Sequence, residues 1–169
     1  MTWGVDPWGS APWGADEEAA GAGYSVALSG LTAISIAATS VQPQLDYTIT
    51  GTPGTGTTYF AVYPSATTPA WDRSTGWDGT PTATGEDATP PSATTPNDEP
   101  TITWDAALTP GTSYKLWAIW DDGSASSDSG APQPSTTFVT YQTIHLSSPT
   151  VTEITSTTAR GRVTATEYA

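Results

Sequence analysis

Cysteine is absent from the 169 residues, and histidine occurs once, at His145. The first absence excludes a disulfide-stapled module, thiolate metal ligation and a cysteine nucleophile. Basic residues are nearly missing as well: four Lys and Arg stand against 17 Asp and Glu, a formal net charge of −13. So acidic a chain cannot neutralise phosphates and repels an anionic bilayer surface, so neither nucleic acid nor membrane is an expected partner. No run of about 18 apolar residues occurs, and no spanning helix is expected. The N-terminus lacks a basic segment followed by a long apolar one, so no secretion signal is expected either. Lys, Glu and Met are scarce, whereas Thr, Ser, Ala and Gly abound. Such material suits strands and turns, and predicts an all-β chain with almost no helix.

What is present is clearest at Leu108–Gly123. Pro110-Gly111 sets a turn. From Tyr114 to Trp120 the chain then alternates, with Tyr114, Leu116, Ala118 and Trp120 on one side and Lys115, Trp117 and Ile119 on the other. Aromatic and β-branched residues in strict alternation predict a half-buried strand. Asp121-Asp122-Gly123 ends it with a hairpin signal.

The approach Leu108-x-Pro110-Gly111-Thr112-x-Tyr114 resembles the corner before strand F of fibronectin type III-like sandwiches. The resemblance implies that Leu108 plugs the core and that the Tyr114 hydroxyl bonds back to the backbone upstream. Gly56–Thr67 is similar to the third-strand region of such domains as they occur in tail fibres and minor virion proteins of tailed bacteriophages. The similarity spans roughly residues 25–141. It implies a fibronectin type III/Ig-like antiparallel β-sandwich.

The remaining strands are read from alternation. They are expected at 24–37, at 44–50 with Leu45, Tyr47 and Ile49 on one face, and at 57–63 with Tyr59 and Val62 in the core. Further strands are expected at 101–105 with Ile102 and Trp104 inward, and at 135–141. Residues 64–100 hold Trp71, Arg73 and Trp77 and then turn rich in Pro and Thr. They read as a long insertion between the sheets, pinned by the two Trp residues. Residues 142–169 restart the pattern, with strands at 148–155 and 157–167. Two strands alone bury no face. The expectation is therefore the start of a second similar domain, in a sequence that stops part-way through a longer fibre.

Ahead of the sandwich, residues 1–23 form an arm and acidic linker. Trp3-Gly4, Trp8-Gly9 and Trp13-Gly14 recur every five residues, with Pro7 and Pro12 between them. Five matches neither the helical nor the strand period, and the prolines disfavour both. Three indoles cannot by themselves offset the entropy of ordering such a segment. The arm therefore reads as a docking element that needs a partner surface. Its opening also looks like the N-termini of some tailed-phage structural proteins.

Candidate chemistry is thin. Asp72, Asp78, Glu86, Asp87, Asp98 and Glu99 are carboxylates without a core to raise a pKa, which argues against a glycosidase pair. His145 has no Gly-x-Ser-x-Gly partner. Asp121-Asp122-Gly123-Ser124 with Asp128 lacks the spacing of a calcium loop. Trp71, Arg73 and Trp77 are candidate contacts for a host surface glycan. No cofactor and no metal is expected. The expected role is a non-enzymatic phage structural protein on the outside of the virion. In this reading it is a tail or tail-tip fibre subunit that self-associates and docks on other virion proteins through its arm. A capsid decoration protein or head fibre, and a carbohydrate-binding module, are the alternatives.

Overall fold

The computed structural model describes residues 24–52, 54–123, 131–152 and 154–168. The described residues contain no helix. One sheet has the order β1-β2-β7, from β1 (Ser25–Ile34), β2 (Gln42–Thr50) and β7 (Thr95–Asp98). The other has the order β10-β8-β3-β6, from β3 (Thr57–Pro64), β6 (Ala83–Asp87), β8 (Ser113–Asp121) and β10 (Phe138–Val139), with β9 (Gln133–Pro134) also paired to β8. All pairings are antiparallel. The chain crosses between layers from β2 to β3, from β6 to β7 and from β7 to β8. This is a fibronectin type III/Ig-like β-sandwich.

Alternation builds the core as expected. Val26, Leu28, Leu45, Tyr47, Phe60, Val62, Leu116, Ala118 and Trp120 all point between the sheets. A bulge between Ser29 and Thr32 shifts the phase of β1, which lets Leu31 follow Val26 and Leu28 inward. The Tyr47 hydroxyl and Thr58 Oγ1 meet at 2.7 Å inside the core and tie β2 to β3 across the layers. Burial pushes the Tyr47 phenol far above its ordinary range, so it stays neutral and keeps that bond.

The strand expected at 135–141 is broken into β9 and β10, which touch β8 at separate points, and three further expectations fail, each for a physical reason. Residues 64–100 are not a structureless insertion: they supply one edge strand of each sheet, β6 and β7. They also form a small hairpin of β4 (Trp71–Asp72) and β5 (Gly76–Trp77). Residues 101–104 are not a strand. Ile102 and Trp104 do pack against the core, but the ladder position belongs to β7. Trp104 instead anchors irregular backbone through its indole N–H, which donates to the Val41 carbonyl at 2.7 Å. Tyr59 does not share the core with Val62: the two are an odd number of positions apart on one strand, so they face opposite sides.

The edge of β6 is capped at Thr84. Thr84 N–H donates to Asp105 Oδ1 at 2.6 Å, and Asp105 N–H donates to the Thr84 carbonyl at 3.0 Å. The Thr84 hydroxyl adds a bond to Asp105 Oδ2 at 2.7 Å. Beyond the sandwich, β11 (Thr143–Thr152) and β12 (Arg160–Tyr168) make a separate two-stranded sheet. It carries Val151 and Val163 at 62% and 55% exposure, and Ile154 in the connection between its strands is 73% exposed.

Candidate functional site

The outer face of the β3–β8 sheet should be wet in a plain sandwich. Here it is dry. Ala61, Tyr63 and Trp117 form a second buried cluster on that face, with Trp77 packed against it. Ile119, the cross-strand partner of Tyr59, is also buried. The cover is the β4–β5 hairpin, in which Trp71 pairs with Trp77 and Asp72 with Gly76. Trp71 stacks on Tyr59 with centroids 4.7 Å apart and planes at 30°. Trp77 meets Trp71 edge-on, at 5.2 Å and 71°. The Tyr63 hydroxyl donates to the Asp78 carbonyl just past the hairpin.

Local chemistry shapes this hairpin. Asp72 Oδ1 accepts from the backbone N–H groups of Ser74 and Thr75, at 2.8 Å and 3.1 Å, and from the Ser74 hydroxyl. These bonds set the turn and hold the Asp72 carboxyl below its usual range, the Ser74 hydroxyl contributing most. Gly76 follows at φ 79, a conformation that side chains resist. A Cβ there would lie 4.0 Å from Cζ3 of Trp71.

Asp121 fastens the hairpin to the sheet. It is only 6% exposed. The Arg73 Nε donates to both of its oxygens, at 2.9 Å and 3.1 Å, and the Trp71 indole donates to Oδ2 at 3.2 Å. Gly123 N–H adds a bond to Oδ1 at 2.7 Å. Burial alone would raise the Asp121 carboxyl. The donors from Gly123, Arg73 and Trp71 outweigh it, and the group sits below its ordinary value. The sequence offered Asp121 as the start of a turn and as a poor match to a calcium loop, not as a fastener, because its partners lie 48 and 50 residues away.

The Tyr59–Trp71 stack separates two clefts. One, about 460 Å³, is lined by Tyr59, Trp71, Trp77, Thr84, Glu86 and Asp105 among others. The other, about 480 Å³, is lined by Tyr59, Trp71, Arg73, Asp121 and Asp122 among others. The expected contacts Trp71, Arg73 and Trp77 are thus brought together. Tyr59, Glu86 and Asp105 join them unforeseen, because the register Tyr59↔Glu86 is set by a strand that alternation did not reveal.

The corner stands where expected. Leu108 and Tyr114 are both buried in the core cluster. Thr109 N–H donates to the Tyr114 hydroxyl at 3.1 Å, and Gly111 takes φ 67 after Pro110. The sequence missed Thr140. Its buried hydroxyl donates to the Thr109 carbonyl at 2.6 Å and accepts from Thr112 N–H at 3.1 Å. In a chain so rich in Thr nothing singled it out.

The other candidate carboxylates serve turns and edges. Asp78 accepts from Ala70 N–H at 2.7 Å, Asp87 from Thr89 N–H at 2.9 Å, and Glu99 from the Gln44 amide at 2.7 Å. Against the expectation that nothing here raises a carboxyl, that of Asp98 is raised, first by burial and then by Asp87 and Glu99, because β7 lies against the sandwich rather than in a solvated insertion. His145 takes a position in β11 opposite Thr166. Trp3, Gly4, Pro7, Trp8, Gly9, Pro12, Trp13 and Gly14 lie outside the described residues, as do Ser124 and Asp128. Among the described residues no group of three or more His, Asp or Glu is placed to hold a metal ion. No protein-family model, no curated protein and no solved structure matches this chain.

Proposed function

We propose that this chain is a non-enzymatic structural subunit of a bacteriophage virion, exposed on the particle and anchored by its N-terminal arm. It acts as a tail or tail-tip fibre-type protein whose sandwich projects toward the host. The observation that carries this reading is the Trp-Gly repeat at 3, 8 and 13, set by an acidic linker ahead of a sandwich core that runs from Val26 to Phe138. Large anchors at one spacing suit a repeating acceptor surface, such as symmetry-related subunits offer. Near-extended backbone at about 3.1–3.3 Å per residue puts successive anchors about 15 Å apart. Aromatic anchors in desolvated pockets dominate interface energies, at about 2–4 kcal/mol each. The carboxylates engaged in turns and edges support a structural rather than a hydrolytic role.

The test is complementation of a phage lacking the protein with the triple variant Trp3→Ala, Trp8→Ala, Trp13→Ala. The variant is expected to stay folded and to be lost from purified virions. Full occupancy would overturn the docking arm and the virion reading with it. Labelling the wild-type protein on particles separates the fibre from a capsid decoration protein or head fibre, which differ in where the arm docks.

A further inference from the structure

Tyr59 and Glu86 are register partners on β3 and β6, so their side chains leave the same face as close neighbours. Trp71 lies against Tyr59, and Gly76 opposite Asp72 adds no side chain over the indole. The result is a half-buried aromatic ledge with an exposed carboxylate beside it. Asp105 borders the same cleft. Thr84 fixes both of its oxygens by hydrogen bonds. Clefts of about 460 and 480 Å³ flank the ledge, within the size range of small-ligand sites.

We propose that this ledge binds a neutral oligosaccharide, with a pyranose C–H face against the open flank of the Tyr59–Trp71 stack and sugar hydroxyls donating to Glu86 and Asp105. Three alternatives fit less well. An anionic glycan would meet two carboxylates in a chain of net charge −13. A quaternary ammonium needs ring faces converging on one point, whereas Tyr59 and Trp71 stack on each other. A peptide adding as a strand needs a run of open edge, and Asp105 interrupts that of β6 at Thr84. The site is independent of the arm, so its failure leaves the proposed anchoring intact.

The experiment titrates the full chain with neutral hexasaccharides of glucose, galactose, mannose and N-acetylglucosamine. Tryptophan emission and saturation-transfer NMR are the readouts. Sialyllactose and choline serve as comparators. At least one neutral hexasaccharide is expected to shift the emission and to take saturation at its ring hydrogens. Glu86→Ala, at an exposed position, should weaken that binding at least fivefold with the melting temperature unchanged. Trp71→Leu should abolish it. No response to any neutral sugar at millimolar concentration overturns the proposal. So does tighter binding of sialyllactose or choline, or unchanged binding by Glu86→Ala.

Discussion

The two faces of the β3–β8 sheet both carry buried clusters, and they are built differently. The inner face is filled by residues spread along the chain, every second position of four long strands. Its buried hydroxyls are paired, Tyr47 with Thr58. The outer face is covered by one short hairpin, fastened at Asp121 and by the Tyr63 bond to Asp78. Its indole N–H groups at Trp77 and Trp117 are buried without an acceptor among the described residues. An orphaned donor costs about 1–3 kcal/mol. The inner face is therefore the source of stability, and the outer face is an addition that uses aromatic area at some polar cost.

Breaking the inner face should have the largest effect. Leu116→Ala removes a fully buried side chain and is expected to cost about 2–5 kcal/mol in denaturant melts. A loss below 1 kcal/mol would mean the core is looser than its burial indicates. Tyr114→Phe keeps the ring and leaves Thr109 N–H without its acceptor, with an expected cost of about 1–3 kcal/mol. A neutral result would count against the corner as a stabilising device.

Asp121→Asn tests the outer face. The expected global loss is smaller, about 1–2 kcal/mol, from charge-assisted bonds to Arg73 and Trp71. Its signature is local: amide exchange across residues 70–78 should accelerate while the β2 amides stay protected. Uniform acceleration would show that the two faces form one cooperative unit. Acid provides the mildest probe. The Asp121 carboxyl is depressed in the folded state, as is that of Asp72. Their contribution is present above the unfolded value of about 3.9 and is lost as pH falls through the lower folded values. Tryptophan emission should therefore shift below about pH 4 in the wild type. The shift should be reduced in Asp121→Asn, and equal shifts would remove Asp121 from the account.

The same contrast explains what was legible in the sequence. β1, β2, β3 and β8 declare themselves because one face of each meets the core, and burial imposes a period of two on residue type. β6 (ATGED) and β7 (TPND) carry no such period. They are edge strands placed by backbone pairing, and backbone hydrogen bonds leave no mark on composition. Ile102 and Trp104 mislead for the opposite reason, since they are half-buried against the core on backbone that joins no ladder. The outer site was half legible. Trp71, Arg73 and Trp77 stood out as large residues in a polar stretch. Tyr59, Glu86, Asp105 and Asp121 reach them only through register and through bonds spanning some fifty residues.

The clasp of Asp105 on Thr84 bears on how tightly such molecules can be crowded. A bare sheet margin offers alternating donors and acceptors to any neighbour with the same need, and identical neighbours at high local concentration zip together along it. At Thr84 both the amide and the carbonyl are already engaged within the same chain. A second molecule arriving along β6 meets a fixed carboxylate where it would need a free amide. Removing the clasp, as in Asp105→Ala, would cost little in the isolated molecule and would be felt first as turbidity in concentrated solution.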